Sequence, residues 1–305
     1  MSQLHILNGD SSKHCLTALN ISGDVAVWRE MLSDGPVVES VASEAFWATR
    51  ALFFETTSSV TAAEYFQLTR DEFSKITAFN QFDETVLWFE YDLFCQINLM
   101  ALCSFLHRHR QPNSRISLIC VGNSQQSEKL LGLGEFPEDE LRIAYENRIE
   151  LSAADLQFAD DIWQLYCQPD PADLAKKVNI PHPIFNYLRD AFAAHFHRFP
   201  GKFNGLNIIE NKILTLLFNE PKSANQIVGE LLRWQTWFGF GDLQYFAYLD
   251  QLNSLYEIID ETIHITDFGK KVLGGETSFL TVDQPEYYFG GAVKQHFFAE
   301  DLTIV

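Results

Sequence analysis

Four short apolar runs lie in the first 122 residues, and the groups that follow them are of types that do chemistry. Residues 4–7 lead into Asn8, Gly9, Asp10 and Ser11; residues 25–28 into Arg29 and Glu30; residues 86–89 into Glu90 and Asp92; residues 115–122 into Asn123. Asp10, Glu30, Glu90 and Asp92 make a carboxylate set able to act as a general base or to bind a cation such as Mg²⁺ through oxygen, with the metal itself left open. Glu90 and Asp92 are the expected catalytic pair. Gly9 lets a backbone approach a ligand, the N–H groups of residues 11–13 at a helix start suit an anion, and Arg29 offers a bidentate clamp for phosphate or carboxylate. Gln96 follows Asp92 by four residues and shares its helix face, where it can orient that carboxylate or a ligand. Plainer roles stand beside these: Asp10, Ser11 and Asp92 as helix N-caps, and Arg29 in an ion pair. The convergence of the set favours a ligand site.

Other chemistries find less support. His107 and His109, and likewise His195 and His197, are two residues apart, about 200° on a helix, so neither pair can share one zinc ion. Cys95 and Cys103 are eight apart in an apolar helix, which is core spacing, and a buried apolar thiol is inert. Gly132-Leu-Gly134 is no phosphate fingerprint, and neither a Walker lysine nor G-x-G-x-x-G follows a strand.

The elements that must position these groups are legible. Continuous apolar runs of four to eight residues are the pattern of strands buried on both faces. Helical patterns separate them, over residues 12–20, 40–55, 62–79 and 93–107, the third opened by the capping-box sequence Thr61-Ala-Ala-Glu64. By the right-handed crossover rule this predicts an α/β domain with a parallel, doubly wound sheet. Ligands of such sheets sit beyond the carboxyl ends of the strands. Further helices are predicted over 137–147, 152–167 and 184–198, with prolines at 169, 171, 181 and 183 between them.

Residues 206–273 show three helical segments, a two-stranded ribbon and a last helix, the order of a winged helix. Residues 238–256, where a recognition helix would lie, hold no Lys or Arg and carry Asp242 and Asp250. A packing or protein-interaction module is therefore expected. The tract Trp234–Gly241 reads as an interdomain hydrophobic contact, with Tyr287–Gly291 packed against it. The chain divides into an α/β domain (1–128), a helical connection (129–199), a winged-helix-like domain (200–275) and a C-terminal extension (276–305).

Composition narrows the class. The 41 acidic and 22 basic residues leave a net charge of −19, which repels nucleic-acid backbones. Five cysteines without a C-x-x-C pair suit reduced thiols, and no signal peptide or membrane span is visible, so a cytoplasmic location is expected.

The opening Leu-His-Ile-Leu-Asn-Gly-Asp-Ser, the Val-Trp-Arg-Glu and Asp-Gly-Pro that follow, and Leu-Trp-Phe-Glu-Tyr-Asp-Leu-Phe-Cys-Gln resemble the bacterial family catalogued as domain of unknown function 1835. Phe199-Pro200, Gly205-Leu206, Ile265-Thr-Asp-Phe-Gly269 and Phe289-Gly-Gly291 resemble its companion C-terminal family, number 3658. The likeness spans most of the chain and implies no reaction; where such sequences often have Asp, this one has Cys95. The functional expectation is a protein that binds a small anionic ligand such as a nucleotide or phosphate ester, with hydrolysis of that ligand or transfer from it as the chemistry the carboxylates would serve. The alternative is a non-enzymatic adaptor that makes protein contacts through its winged-helix-like part.

Overall fold

A computed structural model describes residues 2–58 and 60–302. Its first strands are β1 (Gln3–Leu7), β2 (Asp24–Val27), β3 (Gly35–Pro36), β4 (Glu84–Glu90), β5 (Ile116–Val121) and β6 (Ile149–Glu150). Five of them form one sheet in the order β2-β1-β4-β5-β6, parallel throughout except for β6 at the edge. The protein is thus mixed α/β with a mostly parallel sheet. The first helices are α1 (Lys13–Ala18), α2 (Glu44–Thr57), α3 (Ala62–Tyr65), α4 (Asp71–Thr77), α5 (Leu93–His109), α6 (Glu138–Glu146), α7 (Ala153–Tyr166), α8 (Ala172–Val178) and α9 (Leu188–Phe196).

Strand side chains alternate between two cores, which is why the runs are apolar without a break. Leu4, Ile6, Leu87 and Phe89 join Phe46 of α2, Phe73 of α4, Leu99 of α5 and Ile162 of α7. Leu7, Val86 and Trp88 join Cys15 and Leu16 of α1 and Leu141 of α6 on the opposite face. Helix α5 is buried from Leu93 to Leu106 apart from Phe94, so it has almost no polar side.

The helix expected over 62–79 is interrupted. Its capping box forms between Thr61 and Glu64, but a π-helical segment, Phe66–Arg70, separates α3 from α4. Tyr65 and Phe73 are eight residues apart, about 80° out of line on an unbroken α-helix; the wider turn brings both into the core.

The carboxy-terminal half contains α10 (Ile208–Asn219), α11 (Ala224–Trp234), α12 (Asp242–Gln251), the hairpin β7 (Tyr256–Ile259) and β8 (Thr262–Ile265), and α13 (Asp267–Leu273). An isolated bridge ties Lys222 to Ile263. Beyond it, β9 (Tyr288–Gly290) pairs with β10 (Ala292–Val293) and, in parallel, with β3. The segment after 276 therefore returns to the loop that follows β2; residues 303–305 of the expected extension lie outside the described residues. Tyr287–Gly291 and the 234–241 tract share one buried guanidinium. Arg198 stands between them, 4.0 Å from the Phe289 ring and 4.9 Å from that of Phe240.

Buried ion pairs hold this arrangement, two of them around the loop before β3. Arg50 bonds Glu30 at 3.0 Å, both without exposure, and donates to the carbonyls of Met31, Asp34 and Pro36. Arg198 pairs with Asp34 and donates to Ser33 O at 2.8 Å, and Tyr287 donates to the same carboxylate.

A third buried carboxylate, Glu84, sits at the amino ends of the strands. Burial alone would raise its pKa, but hydrogen bonds from Arg148, Ser117 and Gln3 prevail and hold it down at about 2. A depressed carboxylate contributes stability above its unfolded value and loses it as pH falls through the folded one. We expect Arg148→Ala to cost about 2 kcal/mol at pH 7, with the gap from wild type closing as pH falls from about 4.5 towards 2. Urea unfolding across that range checks this; a gap independent of pH would contradict it.

Candidate functional site

Strand order reverses between β1 and β4: the chain leaves β1 towards β2, crosses back, and leaves β4 towards β5. The carboxyl ends of these two strands flank the crevice where ligands of open α/β sheets bind. Asn8 follows β1, Glu90 ends β4, and Asp92 caps α5, accepting the Cys95 N–H at 2.8 Å. Glu90, Asp92 and Cys95 each present one ligand atom, and these atoms lie within 4.8 Å of one another.

The group is tightly supported. Asn8 Nδ2 donates to Cys95 Sγ at 3.0 Å, and Asn98 Nδ2 donates to Asn8 Oδ1 at 2.8 Å. Glu90 Oε1 accepts the Leu133 N–H at 2.8 Å, and Gly132 lies so close that a Cβ there would stand 2.8 Å from Glu90 Oε2. Gln96 Nε2 donates to Glu90 O at 2.7 Å and to Cys120 Sγ at 3.3 Å, while its buried Oε1 has no hydrogen-bond partner.

Burial sets the electrostatics. It pushes the pKa of Glu90 up, and the neighbouring Asp92 charge pushes the same way. Asp92 is raised by burial against the opposing Cys95 N–H bond, and burial raises the Cys95 thiol further still. Two carboxyls that resist ionisation so close together are chemically poised to share a proton or to accept a cation.

The remaining expected residues are placed differently. Arg29 is closed on Asp10 through Nε and Nη2, at 2.6 and 2.9 Å, and its Nη1 donates to Leu68 O. Lys13 also pairs with Asp10. Arg29 is thus not an open clamp but half of an ion pair at the rim. Gly9, at φ +109°, makes the turn expected of it, but the N–H groups of Ser12 and Lys13 bond Gly9 O and Asp10 O. Ser11 is exposed. Little of the anticipated anion cradle is left, because a 3₁₀ turn, Asp10–Ser12, consumes it. Glu30 points away from Glu90 and Asp92 into the core, where Arg50 and Tyr65 bond it. Asn123 is exposed and gives its backbone N–H to the Tyr187 hydroxyl.

Residues the sequence reading passed over complete the site. Cys95 has core spacing in the sequence, and nothing local ties it to Asn8, 87 positions away. Asn98 lies on α5 beside Cys95, whereas Tyr187 and Trp237 come from segments whose approach only the tertiary fold sets. Trp237 meets Tyr91 edge-on at 5.5 Å, and Gly239 lies directly over Asp92.

Of the surface clefts elsewhere, two border the helices of the α/β part. One, of about 620 Å³ at the far end of α5, contains Arg108 and Ser104, both already bonded to Asp160. The other, about 330 Å³, lies between α2 and Tyr287. No described helix is long and apolar enough to cross a membrane.

No family model matches the chain, and no curated protein matches it either. Its class is therefore set by the fold and site alone: a mostly parallel α/β sheet with a buried acid and thiol group where the strand order reverses.

Proposed function

We propose that the chain binds a small phosphate-bearing ligand, such as a nucleotide or other phosphate ester, through a divalent cation held by Glu90 and Asp92. The observation that carries this reading is the position of the Glu90, Asp92 and Cys95 group between the carboxyl ends of β1 and β4. With Arg29 engaged by Asp10, the cation rather than an arginine clamp offsets the ligand's charge. Oxygen ligands of this kind suit Mg²⁺ or Mn²⁺. With this goes the proposal that the chain is a member of the two bacterial families it resembles.

A thermal-shift screen against nucleotides and sugar phosphates, each with Mg²⁺ or Mn²⁺, tests it. A ligand at 100 times its Kd adds about 2.7 kcal/mol of stability. We expect a shift that needs both cation and phosphate ester and is lost in Asp92→Asn. No shift from any combination would sink the proposal.

A second reading, a winged-helix-like adaptor module over 200–275, is supported by the order α10, α11, α12, hairpin, α13, with the Lys222 to Ile263 bridge joining the segment before α11 to the hairpin. The absence of Lys and Arg over 238–256 favours a protein partner over DNA. A ligand-responsive chain that captures no protein in a pull-down would count against it.

A further inference from the structure

We propose that Trp237–Gly239 is a strap from the carboxy-terminal half that closes the switch-point site and must lift before a cation can reach Asp92. This rests on the reading of Glu90 and Asp92 as cation ligands. Asp92 is 7% exposed and Cys95 4%, so those two are shut off as the protein stands, while Glu90 is only part-buried. What shuts it is thin. Gly239 is itself exposed, and its backbone lies so close that a Cβ there would stand 2.2 Å from Asp92 Cγ. Its φ of +67° is a conformation that glycine adopts at little cost.

The strap touches α5 through two backbone hydrogen bonds. Trp237 O accepts the Leu93 N–H at 2.7 Å and Phe238 O accepts the Phe94 N–H at 3.2 Å. These are the first two N–H groups of α5, beside the Asp92 cap. Aromatic packing adds to them: Trp237 lies against Tyr91 and Tyr187, and the buried Phe238 packs on Trp234 and Phe240.

Its base is fixed independently of α5. Gln235 clasps Phe240 through both side-chain atoms, Nε2 to Phe240 O at 2.7 Å and Oε1 from Phe240 N at 2.9 Å, and the Tyr245 hydroxyl donates to the same Oε1 at 2.9 Å. A loop pinned at both ends by one side chain, and held at its tip by two hydrogen bonds and the contacts of Trp237 with Tyr91 and Tyr187, is built to swing as a unit. Closing it excludes water from the acid group; opening it exposes that group and frees the two α5 donors together.

Mn²⁺ binding to the full-length protein, followed by the EPR signal of free Mn²⁺ and by hydrogen exchange at the Leu93 and Phe94 amides, tests the proposal. Gly239→Ala places a methyl group against the Asp92 carboxylate and should hold the strap off; Trp237→Ala removes its ring anchor without backbone strain. We expect either variant to bind Mn²⁺ on the order of tenfold more tightly than wild type, equivalent to about 1.4 kcal/mol. Mn²⁺ should also speed exchange at the two amides in wild type. If wild type and a folded Trp237→Ala bind Mn²⁺ equally well with no change in exchange, the strap is overturned while the cation site stands. If none of the three proteins binds Mn²⁺, the cation site itself is overturned, and the strap with it.

Discussion

Arg198→Ala is expected to destabilise the protein by about 3–5 kcal/mol, the usual cost of stripping one partner from a buried ion pair. Arg198 has no exposure, and Asp34 is 3% exposed. Without the guanidinium, Asp34 keeps hydrogen bonds from Tyr287 and Ser33 but no neutralising charge. The same substitution removes the donor to Ser33 O and the cation stacked between Phe240 and Phe289. Because those rings belong to the 234–241 tract and to β9, while Asp34 belongs to the loop before β3, one side chain clasps three distant segments. The consequence extends beyond melting temperature: proteolysis should cut the variant first near β9, whose pairing with β3 depends on that loop. Adding Asp34→Asn to Arg198→Met should recover much of the loss, since it removes the stranded charge. Denaturant unfolding checks both statements; a loss under about 1 kcal/mol for Arg198→Ala would show that the pair holds little.

Asp92→Asn should act in the opposite direction on stability while removing function. Asparagine is as good an N-cap as aspartate, so α5 keeps its start, and the buried charge disappears. The sign follows from the direction of the shift. A carboxyl whose pKa is raised by folding favours the fold below its unfolded value, and that contribution is lost as pH rises through the folded value. Wild type at pH 8 therefore carries the full cost of burying the Asp92 charge. We expect Asp92→Asn to be more stable than wild type by about 1–3 kcal/mol at pH 8 and little different at pH 4. The variant should also lose the stabilisation that Mg²⁺ or Mn²⁺ confers. A stability bought at the expense of binding marks a functional group rather than a structural one. If Asp92→Asn is less stable at pH 8 and keeps its response to cation, Asp92 is a plain helix cap.

Much of this molecule was legible in its residue order. The four buried strands, the polar groups that follow them, the capping box at Thr61 and Glu64, and the helix starting behind Asp92 are all local patterns. Each arises from side-chain periodicity or from a hydrogen bond spanning three or four residues. The same local logic places Asn8, Glu90 and Asp92 at strand ends, and parallel pairing of β1 with β4 brings those ends together.

What the order of residues could not convey is which polar group meets which. Arg29 offered the same donors to a phosphate or to Asp10, and the turn at Gly9–Ser12 decided for Asp10. Glu30 and Glu90 both follow apolar runs, yet Glu30 turns into a core holding Arg50 and Tyr65, whereas Glu90 faces Asp92. Cys95 has core spacing and is buried; its place one turn after Asp92 on α5 sets its Sγ beside both carboxylates, and Asn8 reaches it only through the tertiary fold. Gly239, 147 positions after Asp92 in the numbering, closes that site without any trace in local sequence pattern. Hydrophobic periodicity is set by neighbours along the chain and so determines elements and their buried faces. Pairing of polar groups is set by distance and direction in three dimensions, where a shift of a few ångströms exchanges one partner for another, and only the tertiary structure decides it.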